Sequence, residues 1–275
     1  MSNRQDACFR SASQAGRKVL IPFMTAGDPE PDWTVGLMHE LVSGGADIIE
    51  LGIPFSDPMA DGPVIQASSE RAVDKGVGLD QVFSWVAAFR ESDNRTPVVL
   101  MGYLNPFERF GYDQLAGRAA VAGVDALLLV DCPPEEMPGL QGELDNHQVY
   151  SIRLVAPTTS EDRLQVIMPA ARGFVYYVSF KGTTGAGRLE ADAVAGPISR
   201  IRAHTELPVA VGFGIKDADS AVLVAEHADG VVIGSALVAL LAECETLDGA
   251  RSCAREFLST VRSALDQAYS GSQRA

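Results

Sequence analysis

Eight short runs rich in Val, Ile, Leu and Tyr recur along the chain, at 19–24, 47–51, 98–103, 126–130, 150–155, 174–179, 209–213 and 230–233. Most are nearly continuous in apolar residues rather than alternating, the pattern of parallel strands covered on both faces. Between them, apolar positions fall at helical spacing: Trp33, Leu37 and Leu41; Val82, Trp85 and Phe89; Ala218, Ala221, Val222 and Ala225. Gly, Pro or Asp bounds each segment, as helix ends prefer. Strand and helix alternate throughout, which predicts right-handed βαβ units. Eight such units in 275 residues predict an α/β fold, a single closed (β/α)8 barrel domain over 1–275. A doubly wound open sheet is the alternative. The long stretch 52–96 has room for an extra helix and a long loop after the second strand. Further helices are predicted before Lys18 and after Leu247, the latter with Cys253, Phe257, Val261 and Leu265 on one face. The tail from Ser270 is expected to fray.

Composition narrows the partners. The formal net charge is -14, a surface that repels phosphodiester backbones and argues against nucleic acid. A small anion is still acceptable, because a few backbone N–H groups can hold one phosphate. The four cysteines, Cys8, Cys132, Cys244 and Cys253, show no metal-type or redox-type pairing, as in reduced intracellular proteins. The polar start Met1-Ser2-Asn3-Arg4-Gln5-Asp6 has no signal-peptide pattern, and no apolar run approaches the ~18 residues of a membrane span. A cytoplasmic location and no membrane contact are expected.

Barrel chemistry sits where strands end and helices begin. Those exits carry Phe23, Asp28, Glu50, Asp57, Asp61, Tyr103, Asn105, Asp131, the glycine-bearing stretches 183–187 and 212–214, and Gly234-Ser235. The most informative is Glu50, which ends an apolar run and is followed by a Pro- and Gly-punctuated loop bearing Asp57 and Asp61. A carboxylate at that point is costly to bury unless it is paired or used. Two carboxylates in different surroundings can hold different pKa values, as acid and base work at neutral pH requires. Asp28 and Asp57, each before a proline, and Asp131 before Cys132-Pro133-Pro134 also read as turn or capping residues. The glycine turns after the seventh and eighth strands fit a phosphate site, with Ser235 opening a helix. The histidines His39, His147, His204 and His227 fall away from the strand exits, so histidine chemistry is not expected.

The run Glu50-Leu51-Gly52-Ile53-Pro54-Phe55-Ser56-Asp57-Pro58-Met59-Ala60-Asp61-Gly62-Pro63 resembles the signature of tryptophan synthase alpha subunits. The resemblance extends to Pro22-Phe23-Met24-Thr25-Ala26-Gly27-Asp28-Pro29, Met101-Gly102-Tyr103-Leu104-Asn105-Pro106, Ala156-Pro157-Thr158-Thr159, Gly182-Thr183-Thr184-Gly185 and the two phosphate turns. It implies a (β/α)8 lyase that cleaves indole-3-glycerol phosphate to indole and glyceraldehyde 3-phosphate. It also implies a beta-subunit partner in an alpha-beta-beta-alpha heterotetramer, with pyridoxal phosphate in the partner and no cofactor in this chain. Carried over by residue, Glu50 and Asp61 match the catalytic acids. Tyr176, with Tyr177 beside it, matches the active-site tyrosine. Phe23, Ile65, Met101, Tyr103, Leu128, Val130 and Phe213 match the indole pocket. Gly185, Gly214, Gly234 and Ser235 match the phosphate cradle. Asp57 and Pro58 match one mobile loop and Thr184 another, while Asn105 and Pro133 match the partner face. One departure is Phe180, followed by Lys181, where some members carry arginine.

The residues leave other readings open. A Schiff-base aldolase would use Lys181. A metal-dependent aldolase would use Glu50, Asp57 and Asp61, although no metal is expected from the ligand spacing. A stand-alone lyase exporting indole, or a barrel that only activates a partner, would differ in partner dependence and in indole release.

Overall fold

Side chains along each strand alternate between two apolar environments. The computed structural model describes residues 3–178, 187–212 and 214–269, and the side chains of these except at 187–193. The strands are β1 (Val19–Thr25), β2 (Ile49–Gly52), β3 (Val98–Gly102), β4 (Ala126–Leu129), β5 (Tyr150–Val155), β6 (Val175–Val178), β7 (Val209–Gly212) and β8 (Gly230–Ile233). They pair in chain order, and β8 returns to β1 through Val19↔Gly230, Leu20↔Val231, Ile21↔Val232 and Pro22↔Ile233. The sheet is therefore a closed parallel barrel, and the open-sheet alternative falls. Val19, Ile21, Val99, Leu128, Ile152 and Tyr176 share the barrel interior. Their neighbours Leu20, Ile49, Leu51, Leu100, Leu127 and Tyr177 face the helical layer. Burial on both sides is why the strands read as continuous apolar runs.

The helices are α1 (Arg4–Gln14), α2 (Thr34–Ser43), α3 (Pro63–Asp74), α4 (Leu79–Arg90), α5 (Leu104–Phe110), α6 (Tyr112–Ala122), α7 (Pro138–Asn146), α8 (Glu161–Ile167), α9 (Gly187–Arg202), α10 (Ala218–Ala225), α11 (Ser235–Ala242) and α12 (Leu247–Tyr269). Helix α1 is the predicted N-terminal addition. Asn3 caps it by accepting from the Gln5 N–H at 3.0 Å. Its Phe9 closes the barrel floor against Phe174, ring centroids 5.4 Å apart. The stretch 52–96 holds α3 and α4. In α12 the buried stripe is Ala250, Ala254, Leu258, Val261 and Leu265, so Cys253 and Phe257 sit at its edge rather than at its centre. Gly44, just past α2, lets the two helices approach closely: a Cβ there would lie 3.0 Å from Leu258 Cβ and 3.2 Å from Arg255 Cα. Ser270 and the residues after it lie outside the described part. No described helix is long and apolar enough to cross a membrane.

The strand feet are tied by aspartates. Asp47 accepts the Leu20 N–H at 2.9 Å, Asp125 the Val98 N–H at 2.8 Å and Asp229 the Val209 N–H at 2.9 Å. Each also meets an arginine: Arg262 at 3.1 Å, Arg90 at 2.8 Å and Arg202 at 3.0 Å respectively. These contacts brace neighbouring strands at the end of the barrel opposite the strand exits.

Candidate active site

Register sets the first acid. In β2, Ile49 and Leu51 pack against helices, so Glu50 between them must point inward. It pairs in register with Phe23 on one side and Val99 on the other. Glu50 is 2 % exposed, and neither of its carboxylate oxygens has a hydrogen-bond partner among the described residues. Burial, reinforced by the charge of Asp61, pushes its pKa up to about 8. A buried carboxyl in this position is held protonated at neutral pH.

Asp61 stands on the loop between β2 and α3 and is half-buried. Its Oδ2 accepts the Tyr103 hydroxyl at 2.9 Å, and that hydroxyl accepts the Ala60 N–H at 3.0 Å. Burial raises the Asp61 pKa and the Tyr103 hydrogen bond opposes the rise. The charge of Asp61 acts on Glu50, and both act on Tyr176. The two acids and the tyrosine therefore occupy one end of the barrel. Tyr176 faces the interior and Tyr177 the helical layer, which separates the adjacent tyrosines. Burial first, then the two carboxylates, raises the Tyr176 phenol far beyond its ordinary range.

Helix α3 holds the loop that carries Asp61. Ser69 Oγ accepts the Phe55 N–H and donates to the Phe55 carbonyl, both at 2.8 Å. Gln66 Nε2 donates to the Asp61 carbonyl at 2.9 Å and to that of Pro58 at 3.3 Å. Neither residue was singled out from the sequence. Their spacing on a helix directly after the loop is the one local signal they offer. Two glycines were also missed as spacers. A Cβ on Gly52 would lie 2.5 Å from Phe23 Cζ, and one on Gly212 would overlap the Tyr176 hydroxyl.

Phe23, Ile65, Met101, Tyr103, Val130 and Asp61 line one cleft at the mouth. Leu128 lies deeper in the interior, fully buried. Leu154 and Val178 join the same interior and extend its period-two pattern. Gly234 immediately precedes α11, whose first residue is the exposed Ser235. Gly214 adopts φ +81°, a conformation glycine takes without strain. Phe213, Thr184 and Gly185, along with Phe180 and Lys181, lie outside the described residues.

The remaining strand-end acids are occupied. Asp28 is clamped by Arg71 through two hydrogen bonds at 2.7 and 3.0 Å. Asp131 accepts the Leu104 N–H at 2.7 Å and caps α5. Asp57 is exposed and accepts the Ser56 hydroxyl at 2.5 Å, beside Pro58. Asn105 is exposed on α5, and Pro133 is half-buried on the loop after β4. Among the described residues, the grouping with metal-ligand geometry is Asp113, Glu143 and His147 on α6 and at the end of α7. It includes none of Glu50, Asp57 and Asp61. His39 stacks on Phe89, and His204 meets Glu161 at 2.6 Å.

A protonated carboxyl, an anion held by a phenol and a helix N-terminus on one rim suit acid–base cleavage of a phosphorylated substrate. Comparison with known proteins agrees. The family model described as tryptophan synthase alpha chain matches residues 9–269. A tryptophan synthase alpha chain of Thioalkalivibrio sulfidiphilus is 58% identical over 259 residues, covering 94% of this chain and 97% of the relative. One from Burkholderia lata is 53% identical, covering 97% and 98%. The crystal structure of tryptophan synthase subunit alpha from Legionella pneumophila superposes with a TM-score of 0.91 at 44% identity, covering 97% of this chain and 100% of that one. A match over nearly the whole length, in sequence and in fold, places the chain in the tryptophan synthase alpha chain family.

Proposed function

We propose that this chain cleaves indole-3-glycerol phosphate to indole and glyceraldehyde 3-phosphate, with Glu50 and Asp61 as the acid–base pair. The observation that carries the assignment is the buried Glu50 carboxyl, without a hydrogen-bond partner among the described residues and raised to about 8 beside Asp61. Such a group stores a proton at neutral pH and has nothing else to do with it.

The indole ring leaves poorly as a carbanion. Protonation of its C3 by Glu50 gives the indolenine tautomer. The bond from C3 to the glycerol carbon then breaks, and its electron pair restores the aromatic ring. The hydroxyl on that glycerol carbon becomes the aldehyde carbonyl and returns its proton to the Glu50 carboxylate. Asp61 accepts the ring N–H and stabilises the positive charge that develops there. Tyr176, kept un-ionised by burial, offers a hydroxyl within reach of the charge of both carboxylates. Phe23, Ile65, Met101, Tyr103, Leu128, Val130 and Phe213 form the indole pocket. Backbone N–H groups of Gly185, Gly214 and Gly234, with Ser235 at the start of α11, hold the phosphate.

Membership of the family implies a beta-chain partner, and the pyridoxal phosphate of the complete enzyme belongs to that partner. The loop of Asp57 and Pro58, with Thr184 on a second loop, closes over substrate and responds to the partner. Asn105 and Pro133 lie on the partner face of an alpha-beta-beta-alpha heterotetramer in the cytoplasm. Met59, 85 % exposed next to Pro58, offers apolar surface on that loop.

Glu50→Gln and Asp61→Asn each remove one proton-transfer or charge-stabilising group at nearly constant shape. Indole formation is expected to fall about 10²–10⁴-fold in each, with folding retained. A rate within a few-fold of the parent for either variant would refute the assignment.

A further inference from the structure

The described residues include three buried arginines, and two of them carry an acid. Arg90 meets Asp125 at 2.8 Å, and Arg262 meets Asp47 at 3.1 Å and Asp266 at 2.7 Å. Arg153, 7 % exposed, has no carboxylate within 4.0 Å among the described residues. Its Nη2 donates to Gln141 Oε1 at 2.8 Å, and its Nε has no partner among the described residues. Two residues earlier on the same outward face of β5, Ser151 is also buried with an unpartnered Oγ. Burial lowers the Arg153 pKa, yet a guanidinium stays charged in a protein. Asp145 acts on it only at a distance, through Gln141, whose Nε2 donates to Asp145 Oδ1 at 2.8 Å. A buried cation with no carboxylate in contact is disfavoured, and an anion is its natural complement.

Space for that anion adjoins it. Arg153 and Ser151 line a cavity of about 340 Å³ between the exits of β4 and β5, outside the barrel wall. It shares only Val130 with the lining of the mouth cleft. Its apolar walls include Leu129, Pro133, Met137 and Ile167. Acids at its edge are engaged elsewhere: Glu135 by Arg163 at 2.9 Å, and Asp131 by the Leu104 N–H. Their charge, with that of the exposed Glu136, disfavours a multiply charged guest. Nη2 is taken by Gln141 and Nε is sealed from the cavity, so Nη1, without a hydrogen bond among the described residues, is the donor open to a carboxylate oxygen.

We propose that the cleft between the β4 and β5 exits binds a small monocarboxylate with a compact apolar body, its carboxylate on Arg153 and its hydrocarbon against Met137 and Ile167. This assignment does not depend on the reaction at the mouth.

The test uses the full chain labelled with 13C at the methionine methyls. Met137 reports the cleft and Met101 the mouth. The probes are 4-methylpentanoate and its uncharged amide, titrated to ~10 mM, the range of weak single-site affinities. 4-Methylpentanoate should shift the Met137 methyl saturably and leave Met101 in place. The amide should bind at least about tenfold more weakly, as should Arg153→Met towards the carboxylate. An unmoved Met137, an amide that binds as well as the acid, or undiminished binding by a folded Arg153→Met would each overturn the proposal. If Arg153→Met does not fold, the acid–amide comparison on the parent chain decides alone.

Discussion

Glu50 keeps its proton because the barrel interior solvates its anion poorly. Its pKa of about 8 against an ordinary 4.5 makes two measurable statements. First, the rate of indole formation should fall above about pH 8, as the acid is lost. Second, the folded state binds this proton more tightly than the unfolded chain does. The contribution to stability is whole below about pH 4.5 and is lost as pH rises through about 8. Glu50→Gln, which cannot ionise, should lack that loss, and its melting temperature relative to the parent should climb between pH 6 and 9. A constant difference across that range would contradict the buried protonated acid. Glu50 was legible in the sequence because an acid that ends an apolar strand has few cheap explanations. Asp28 and Asp131 read there as turn or capping residues, but their partners did not show. Asp28 is taken up by Arg71, 43 residues further on, and Asp131 by the Leu104 N–H, 27 residues back. Partners so distant in sequence are visible only once the chain is folded.

At the scale of elements, β6 and β7 lie so close that one side chain occupies space the other must vacate. Tyr176 pairs in register with Ala210, and its hydroxyl end sits over Gly212. Gly212→Ala should therefore push the tyrosine off its position. A loss of about 1–3 kcal/mol in stability is expected, with reduced indole formation. Tyr176→Leu removes the clashing hydroxyl and ring edge. In the double variant, urea denaturation should show a destabilisation smaller than the sum of the singles by about 0.5–3 kcal/mol. Strict additivity would mean the two residues do not compete for space. The strands themselves were readable because double-sided burial writes them as apolar runs. Which of Tyr176 and Tyr177 faced inward was settled by the pleat, since neighbours on a strand point opposite ways. The stripe of α12 was read imperfectly because Ala250 and Ala254, weak hydrophobic signals, belong to its buried face while Cys253 and Phe257 lie at the edge.

Across the whole molecule, carboxylates do opposite work at opposite ends. At the feet, Asp47, Asp125 and Asp229 are each bound to a strand N–H and an arginine. At the mouth, Glu50 has no hydrogen-bond partner among the described residues. Asp125→Ala would strand the buried Arg90, at a cost of about 3–5 kcal/mol. The indole-forming rate of the folded variant should stay within about twofold of the parent, because surface and foot positions lie apart from the reacting groups. A collapse of that rate without a drop in denaturation midpoint would break the division between the two ends. The alternation of strand and helix made the architecture legible, while the foot network was hidden in contacts between elements. The seam between β1 and β8 has a further effect, on biosynthesis. The first strand finds its second neighbour only after residue 230 has been made, and Arg262 then donates to the Lys18 carbonyl at 2.9 Å. Until the ribosome has delivered that region, the nascent protein carries a bare sheet margin open to mispairing. Shielding by a chaperone is therefore most valuable late in translation, and a pause in the last quarter of the message would prolong the vulnerable interval.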